Sequence, residues 1–306
     1  MLVHKAMHTF IVTIRRPLIG GLVIATAALA GCGRSEDTAP AQGTIAVQLS
    51  RARVALGSPV EVTYRFTVAS DAAALGNRKV FAHFVDADGE QMWTDDHDPP
   101  TPTSAWKPGQ TVEYSRTVFA PVYPYVGQAK VIAGLYDIAS GDRVKLSGTE
   151  VGGRAYEVAQ LELLPQTENI FLIYKDGWHA VETAGDNSMV EWQWTKKEAT
   201  ITFRNPRRDA VLYFQADNPG KAATAARQVE IRLGDQVLQT VALKADEMPV
   251  QKIPISAAAM GSGEMVELRL VVDQTFVPAL EPGATGNDPR ELGARVFHAF
   301  VQPVGS

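Results

Sequence analysis

The residue types with the most chemical potential lie in a run of three carboxylates and one imidazole, Asp95-Asp96-His97-Asp98, with His83 upstream. Carboxylate oxygens bind hard cations such as Ca²⁺, and imidazole nitrogens bind transition metals. The run is therefore a candidate metal site. The alternative, which we favour, is a polar loop in which a neighbouring carboxylate or a backbone group orients His97.

Three tryptophans form a second candidate site. Trp192 and Trp194 are two residues apart, so a strand would place both indoles on one face. Exposed indoles stack on the apolar C–H faces of sugars, which makes this pair, with Trp178, a candidate glycan-binding surface. The alternative is that the rings fill the core of a sandwich, where large aromatic side chains bury most area, and we favour it for these residues.

The amino terminus has the pattern of an export segment. Residues 1–31 contain no Asp or Glu, and Lys5, Arg15 and Arg16 precede an apolar run at 22–30. This order predicts a cleaved secretory signal peptide. A transmembrane anchor would need about 20 apolar residues, and this run is shorter. The arginine pair suggests the twin-arginine route, but its flanking residues favour the general export route.

The apolar run ends in Leu29-Ala30-Gly31-Cys32, which resembles the lipobox of bacterial lipoproteins. The resemblance implies cleavage before Cys32 and lipid on that cysteine, so that the membrane is a partner through several acyl chains, which anchor firmly. In lipoproteins of Gram-negative bacteria, Asp at the next position retains the protein at the inner membrane. Gly33 stands there, so we expect the outer membrane, facing the periplasm or the surface.

Composition and missing motifs exclude several function classes. The 306 residues carry a net charge of -5, which becomes -8 when residues 1–31 and their three positive charges are removed. This balance does not fit nucleic-acid binding. The sequence contains no Gly-x-Ser-x-Gly and no His-Glu-x-x-His, and its single cysteine is assigned to lipid. We therefore predict no catalytic residues, no cofactor and no enzyme. A glycosidase needs only two carboxylates, so a glycan-active hydrolase stays an alternative.

The remaining chain is predicted to be all-β, with two β-sandwich domains. Residues 32–43 read as a lipidated cysteine and flexible tether. Short alternating runs at 44–163 predict a sandwich of the immunoglobulin or fibronectin type, and residues 167–303 predict a jelly-roll-like sandwich. The strands expected in the first domain are 60–68, 79–86, 91–93, 111–119, 127–136 and 143–146, and 69–75 is the only helical candidate. Those expected in the second are 169–174, 178–182, 189–194, 199–204, 210–216, 228–233, 237–243, 250–255, 265–272 and 294–302.

Both halves resemble known domains. Residues 81–142 are similar to a β-sandwich module of bacterial membrane glycosyltransferases and uncharacterised surface proteins. Gly177-Trp178, the tryptophan pair and the loops at 275–278 and 288–293 resemble jelly-roll domains of carbohydrate-binding modules and of cell-envelope glycosyltransferases. The resemblance implies a non-enzymatic binding or assembly module for a surface polysaccharide or for an envelope protein. A purely structural partner of another envelope protein is a further alternative.

Overall fold

The computed structural model describes residues 37–185, 187–218, 227–244, 248–284 and 286–305, with backbone only for 187–189. Within these residues the regular secondary structure is almost entirely β-strand, which confirms the predicted fold class. It forms two β-sandwiches joined by a short connection around a 3-10 turn at Gln166–Glu168.

The first sandwich packs a three-stranded sheet, in the order β1-β3-β6, against a sheet in the order β2-β9-β7-β4-β5, to whose β9 strand β8 is added. The pairs are antiparallel except for β2 with β9. The strands are β1 Gly43–Leu49, β2 Arg53–Ala55, β3 Pro59–Val68, β4 Lys79–Val85, β5 Gln91–Thr94, β6 Thr111–Phe119, β7 Gly127–Tyr136, β8 Thr149–Gly152 and β9 Ala155–Leu164.

The second sandwich packs two five-stranded antiparallel sheets, in the orders β10-β13-β18-β15-β16 and β11-β12-β19-β14-β17. The strands are β10 Leu172–Tyr174, β11 Glu182–Ala184, β12 Asn187–Trp194, β13 Glu198–Arg204, β14 Ala210–Asp217, β15 Arg227–Leu233, β16 Gln236–Leu243, β17 Gln251–Ile255, β18 Met265–Val272 and β19 Arg295–Pro303. A single helical turn, α1 Ala257–Met260, precedes β18, and its N-terminal Ser256 side chain accepts a hydrogen bond from the Ala259 amide.

Period-two alternation explains which strand faces are buried. In β3, the side chains of Val60, Val62, Tyr64, Phe66 and Val68 are all buried, and the residues between them are not. The same alternation buries Val266, Leu268, Leu270 and Val272 in β18. Burying a large aliphatic side chain stabilises a fold by about 1.5–3 kcal/mol, so these faces determine the register of both sheets.

Several predicted elements differ from the structure. Residues 143–146 form only an isolated bridge at Arg143, and 178–182 become a strand only at Glu182. The helical candidate at 69–75 does not form a helix. The Ala72 N–H makes a turn to the Ala69 carbonyl, but the Ala73 N–H, which would donate to that carbonyl in an α-helix, donates to the Gln42 side chain. Segments this short rarely nucleate a helix without help.

The two sandwiches contact each other directly. The Phe119 and His298 rings stack with centroids 4.1 Å apart and planes 11° from parallel. Glu61 forms an ion pair with Lys252, and the Asn169 side chain donates a 2.7 Å hydrogen bond to the Leu56 carbonyl. At this junction the ends of β2 and β9 lie beside the ends of β13 and β19.

Candidate functional site

The structure gives Asp95 a cationic partner inside the protein. Its carboxylate is buried and accepts hydrogen bonds of 2.8–3.0 Å from the Arg116 guanidinium on β6. The hydroxyl of Tyr64, on β3, donates to the same carboxylate at 3.0 Å. Because Asp95 follows a strand of the opposite sheet, these contacts tie the two sheets of the first sandwich together.

The ring nitrogens of His97 are both occupied. Nδ1 lies 2.6 Å from the Asp95 backbone oxygen, and Nε2 lies 2.8 Å from the Tyr114 hydroxyl. Since a carbonyl only accepts, Nδ1–H donates to it, and in the neutral ring Nε2 then accepts from the Tyr114 hydroxyl. Burial lowers the pKa of His97 and so favours this neutral form. No ring nitrogen is left to ligate a metal.

The other members of the acidic run point to separate partners. Asp96 accepts from the Ala82 amide at 3.1 Å and lies 3.3 Å from His83 Nε2, while Asp98 lies 3.3 Å from Lys79 Nζ. Among the described residues, no group of three His, Cys, Asp or Glu side chains could hold a metal ion. The arrangement is that of a polar network oriented by local partners.

The predicted tryptophans have different environments. Trp194 is 6% exposed and meets Phe276 edge-on with centroids 5.7 Å apart, beneath the loop that precedes β19. Trp178 is half-buried against the core of the second sandwich and donates from Nε1 to the Thr200 carbonyl at 2.9 Å. Trp192 is half-buried on β12, beside β11 and β19.

Trp192 belongs to a patch of aromatic and charged side chains. Its ring lies 5.9 Å from that of Phe297, and the Arg295 guanidinium lies 5.2 Å from the indole centroid. Arg295 is fixed in turn by Asp217, with N–O distances of 2.5 and 2.8 Å. A guanidinium in this position is attracted by the indole face, so the aromatic pair is held in place.

Charged groups border the indole. Trp192 Nε1 donates to Glu182 at 3.1 Å, and Arg290 bridges Glu182 at 2.6 Å and Asp288 at 2.7 Å. Hydrogen bonds from the side chain and backbone of Arg290 lower the pKa of Asp288 to about 2, and the two carboxylates raise the pKa of Arg290. About a third of each of the three side chains is exposed. We call Trp192, Phe297, Glu182, Asp288 and Arg290 the Trp192 surface.

The residues predicted to direct export and anchoring, Leu29, Ala30, Gly31 and Cys32, lie outside the described residues. In the part of the chain that the structure describes, no helix is long and apolar enough to cross a bilayer.

A cleft between the sandwiches was missed at the sequence level. It has a volume of about 510 Å³. Its lining includes the arginines Arg51, Arg53, Arg204 and Arg208. These residues come from two segments about 150 positions apart in the chain, so no local charge run could have revealed the cluster.

Comparisons with known proteins assign no family to this chain. No family model and no curated protein matches it. The solved structures to which it is similar include the GlcNAc complex of CBM51-2 and INT domains from Clostridium perfringens ZmpB (11% identity, TM-score 0.24, 85% of this chain and 41% of that one). Others are Bacteroides uniformis β-glucuronidase 2 (12%, 0.27, 86% and 30%) and the S. aureus collagen adhesin (6%, 0.18, 86% and 97%). The chain spans less than half of the first two, and TM-scores this low assign no binding site or activity to it.

Proposed function

We propose that this protein is a lipid-anchored lipoprotein of the bacterial cell envelope that binds a glycan without cleaving it. The observation that carries the proposal is the Trp192 surface, in which a half-buried indole and phenyl ring lie beside partly exposed carboxylate and guanidinium groups. Aromatic rings provide a platform for sugar C–H faces, and the charged groups supply donors and acceptors for hydroxyls.

The pairing of the carboxylates supports a binding role over hydrolysis. A glycosidase requires one carboxylic acid whose pKa is raised so that it can protonate the leaving group. Glu182 and Asp288 instead share one arginine, and the pKa of Asp288 is lowered to about 2. Incubation with the bound glycan should therefore release no new reducing ends, and their steady release by the wild type but not by Glu182→Gln would establish the hydrolase instead.

Glycan binding is tested with the full-length protein in detergent micelles on an array of bacterial surface glycans. The wild type should retain a subset of these glycans, and Trp192→Ala should fail to bind that subset. Tyr174→Ala is the matched control, since it removes a partly exposed aromatic ring from the opposite sheet of the same sandwich. Equal binding by all three proteins, or equal loss in both variants, would contradict the proposal.

The lipid anchor is tested by metabolic labelling with palmitate. The wild type should incorporate label and fractionate with the outer membrane, and Cys32→Ser should do neither. Gly33→Asp is the matched control, because it keeps the acceptor cysteine and should move the labelled protein to the inner membrane. Label that persists in Cys32→Ser would exclude this cysteine as the attachment site.

A further inference from the structure

The cleft between the sandwiches has an unusual charge for this chain. Four arginines and one glutamate, Glu168, give its lining a net charge of +3, whereas the whole chain carries -5. Converging like charges in a concave site raise the local concentration of counter-ions, because the low-dielectric walls focus the field.

Most of this positive charge lacks a carboxylate partner. Arg53 pairs with Glu162 at 3.0 Å. Arg51 is half-buried and donates to the Ser58 hydroxyl and to a backbone carbonyl, and its burial lowers its pKa. Arg204 and Arg208 are exposed and form no ion pair within the described ranges. A bound anion would supply the missing partner in bidentate geometry.

The rest of the lining fits a sugar better than a bare ion. Phe300, Pro303 and Ile170 provide apolar surface, and Gln302 provides an amide. A volume of about 510 Å³ lies within the range of small-molecule sites. The cleft also shares β19 with the Trp192 surface: Phe297 and Gln302 are five residues apart, roughly 16 Å along a strand.

We propose that the arginine-lined cleft binds the acidic sugar of a glycan, one that carries a carboxylate or sulfate group. That the ligand is a saccharide rests on the proposed function; that it is anionic rests on the cleft alone. A glycan that reaches both sites would be held by its neutral residues at the Trp192 surface and by its acidic residue between the sandwiches.

The test uses the full-length protein, an array of carboxylated and sulfated glycans, and calorimetry with oligogalacturonate and its methyl ester, which has the same sugar backbone but neutral, methylated carboxyl groups. Oligogalacturonate should bind and its ester should bind at least tenfold more weakly. Arg204→Gln/Arg208→Gln should weaken oligogalacturonate binding by about tenfold or more, as expected for charge-assisted hydrogen bonds. Arg65→Gln/Arg269→Gln removes the same charge from exposed pairs outside the cleft and should change little.

Each other outcome overturns the inference. Equal affinity for the acid and its ester would show that the cleft does not distinguish a charged ligand from a neutral one. Equal losses of affinity in the two double variants would show that only the overall charge of the protein matters. Displacement of oligogalacturonate by an equal concentration of inorganic phosphate would reduce the site to a phosphate site. If no acidic glycan binds while Trp192→Ala still abolishes binding of a neutral one, the cleft inference fails and the proposed function stands.

Discussion

Replacing Asp95 with alanine tests whether the acidic run is a structural network. The change leaves the hydroxyl of the fully buried Tyr64 without its acceptor, which costs about 1–3 kcal/mol. It also removes the two-oxygen partner of Arg116. Breaking a buried pair costs about 3–5 kcal/mol, but the Arg116 side chain is 40% exposed and water solvates it, so this contribution falls to about 1 kcal/mol. Together the free energy of unfolding should fall by about 3 kcal/mol.

Urea denaturation of the full-length protein measures this loss. Asp98→Ala is the control, since Asp98 is exposed and its one partner within the described ranges is Lys79, at 3.3 Å. The change should alter stability by less than about 0.5 kcal/mol. Tyr64→Phe should cost about 1 kcal/mol. Chelator should alter none of these values. The reasoning is refuted if Asp95→Ala and Asp98→Ala cost the same, or if chelator destabilises the wild type and removes the difference.

Three further predictions concern the second sandwich. Trp194→Ala should lower the free energy of unfolding by about 3–5 kcal/mol and Trp192→Ala by much less, because only Trp194 is enclosed; similar losses in urea would contradict the placement. Burial lowers the pKa of His298 from 6.5 to about 4, so the unfolded chain binds a proton in this window that the folded chain does not. Stability should therefore fall on acidification from pH 6.5 to 4, by about 1 kcal/mol once the solvent-exposed part of the ring is allowed for. The loss should be smaller in His298→Gln by this amount, with the remainder coming from His97, whose pKa is also lowered by burial; an identical pH profile in wild type and variant would refute the prediction. Gly177→Ala would bring a methyl group within 1.9 Å of the Glu198 carbonyl oxygen and should prevent stable folding, whereas Gly234→Ala, at a left-handed but open position, should cost only about 1–2 kcal/mol by circular-dichroism melting.

Most of the fold was predicted from the alternation of apolar and polar residues along the sequence. β6, β7 and β18 begin and end at the residues expected from the sequence. β7 and β18 each bury a continuous apolar face, whereas β6 buries only Val118. Strand β2, three residues long and paired in parallel with β9, could not be recognised, since its pairing is set by a partner over a hundred residues away. A strand of three residues is too short to show the apolar–polar alternation from which strands are predicted.

The sequence identified residues of the candidate sites but not their surroundings in the folded protein. The sequence placed Trp192 and Trp194 on one strand, but only the loop that carries Phe276 decides that Trp194 is covered and Trp192 is not. In the same way, Arg116 lies 21 residues from Asp95 in the chain, and its pairing follows from sheet packing. The inter-sandwich cleft depends on how two domains dock, which no local pattern encodes.

Calorimetry with a glycan retained on the array tests the central claim most directly. Wild type, Trp192→Phe and Trp192→Ala are compared in the full-length protein, with thermal melting to show that each is folded. Stacking on the indole predicts that affinity falls in this order, with the phenyl ring preserving part of it. Equal affinity in all three folded proteins would show that the Trp192 surface does not bind the glycan.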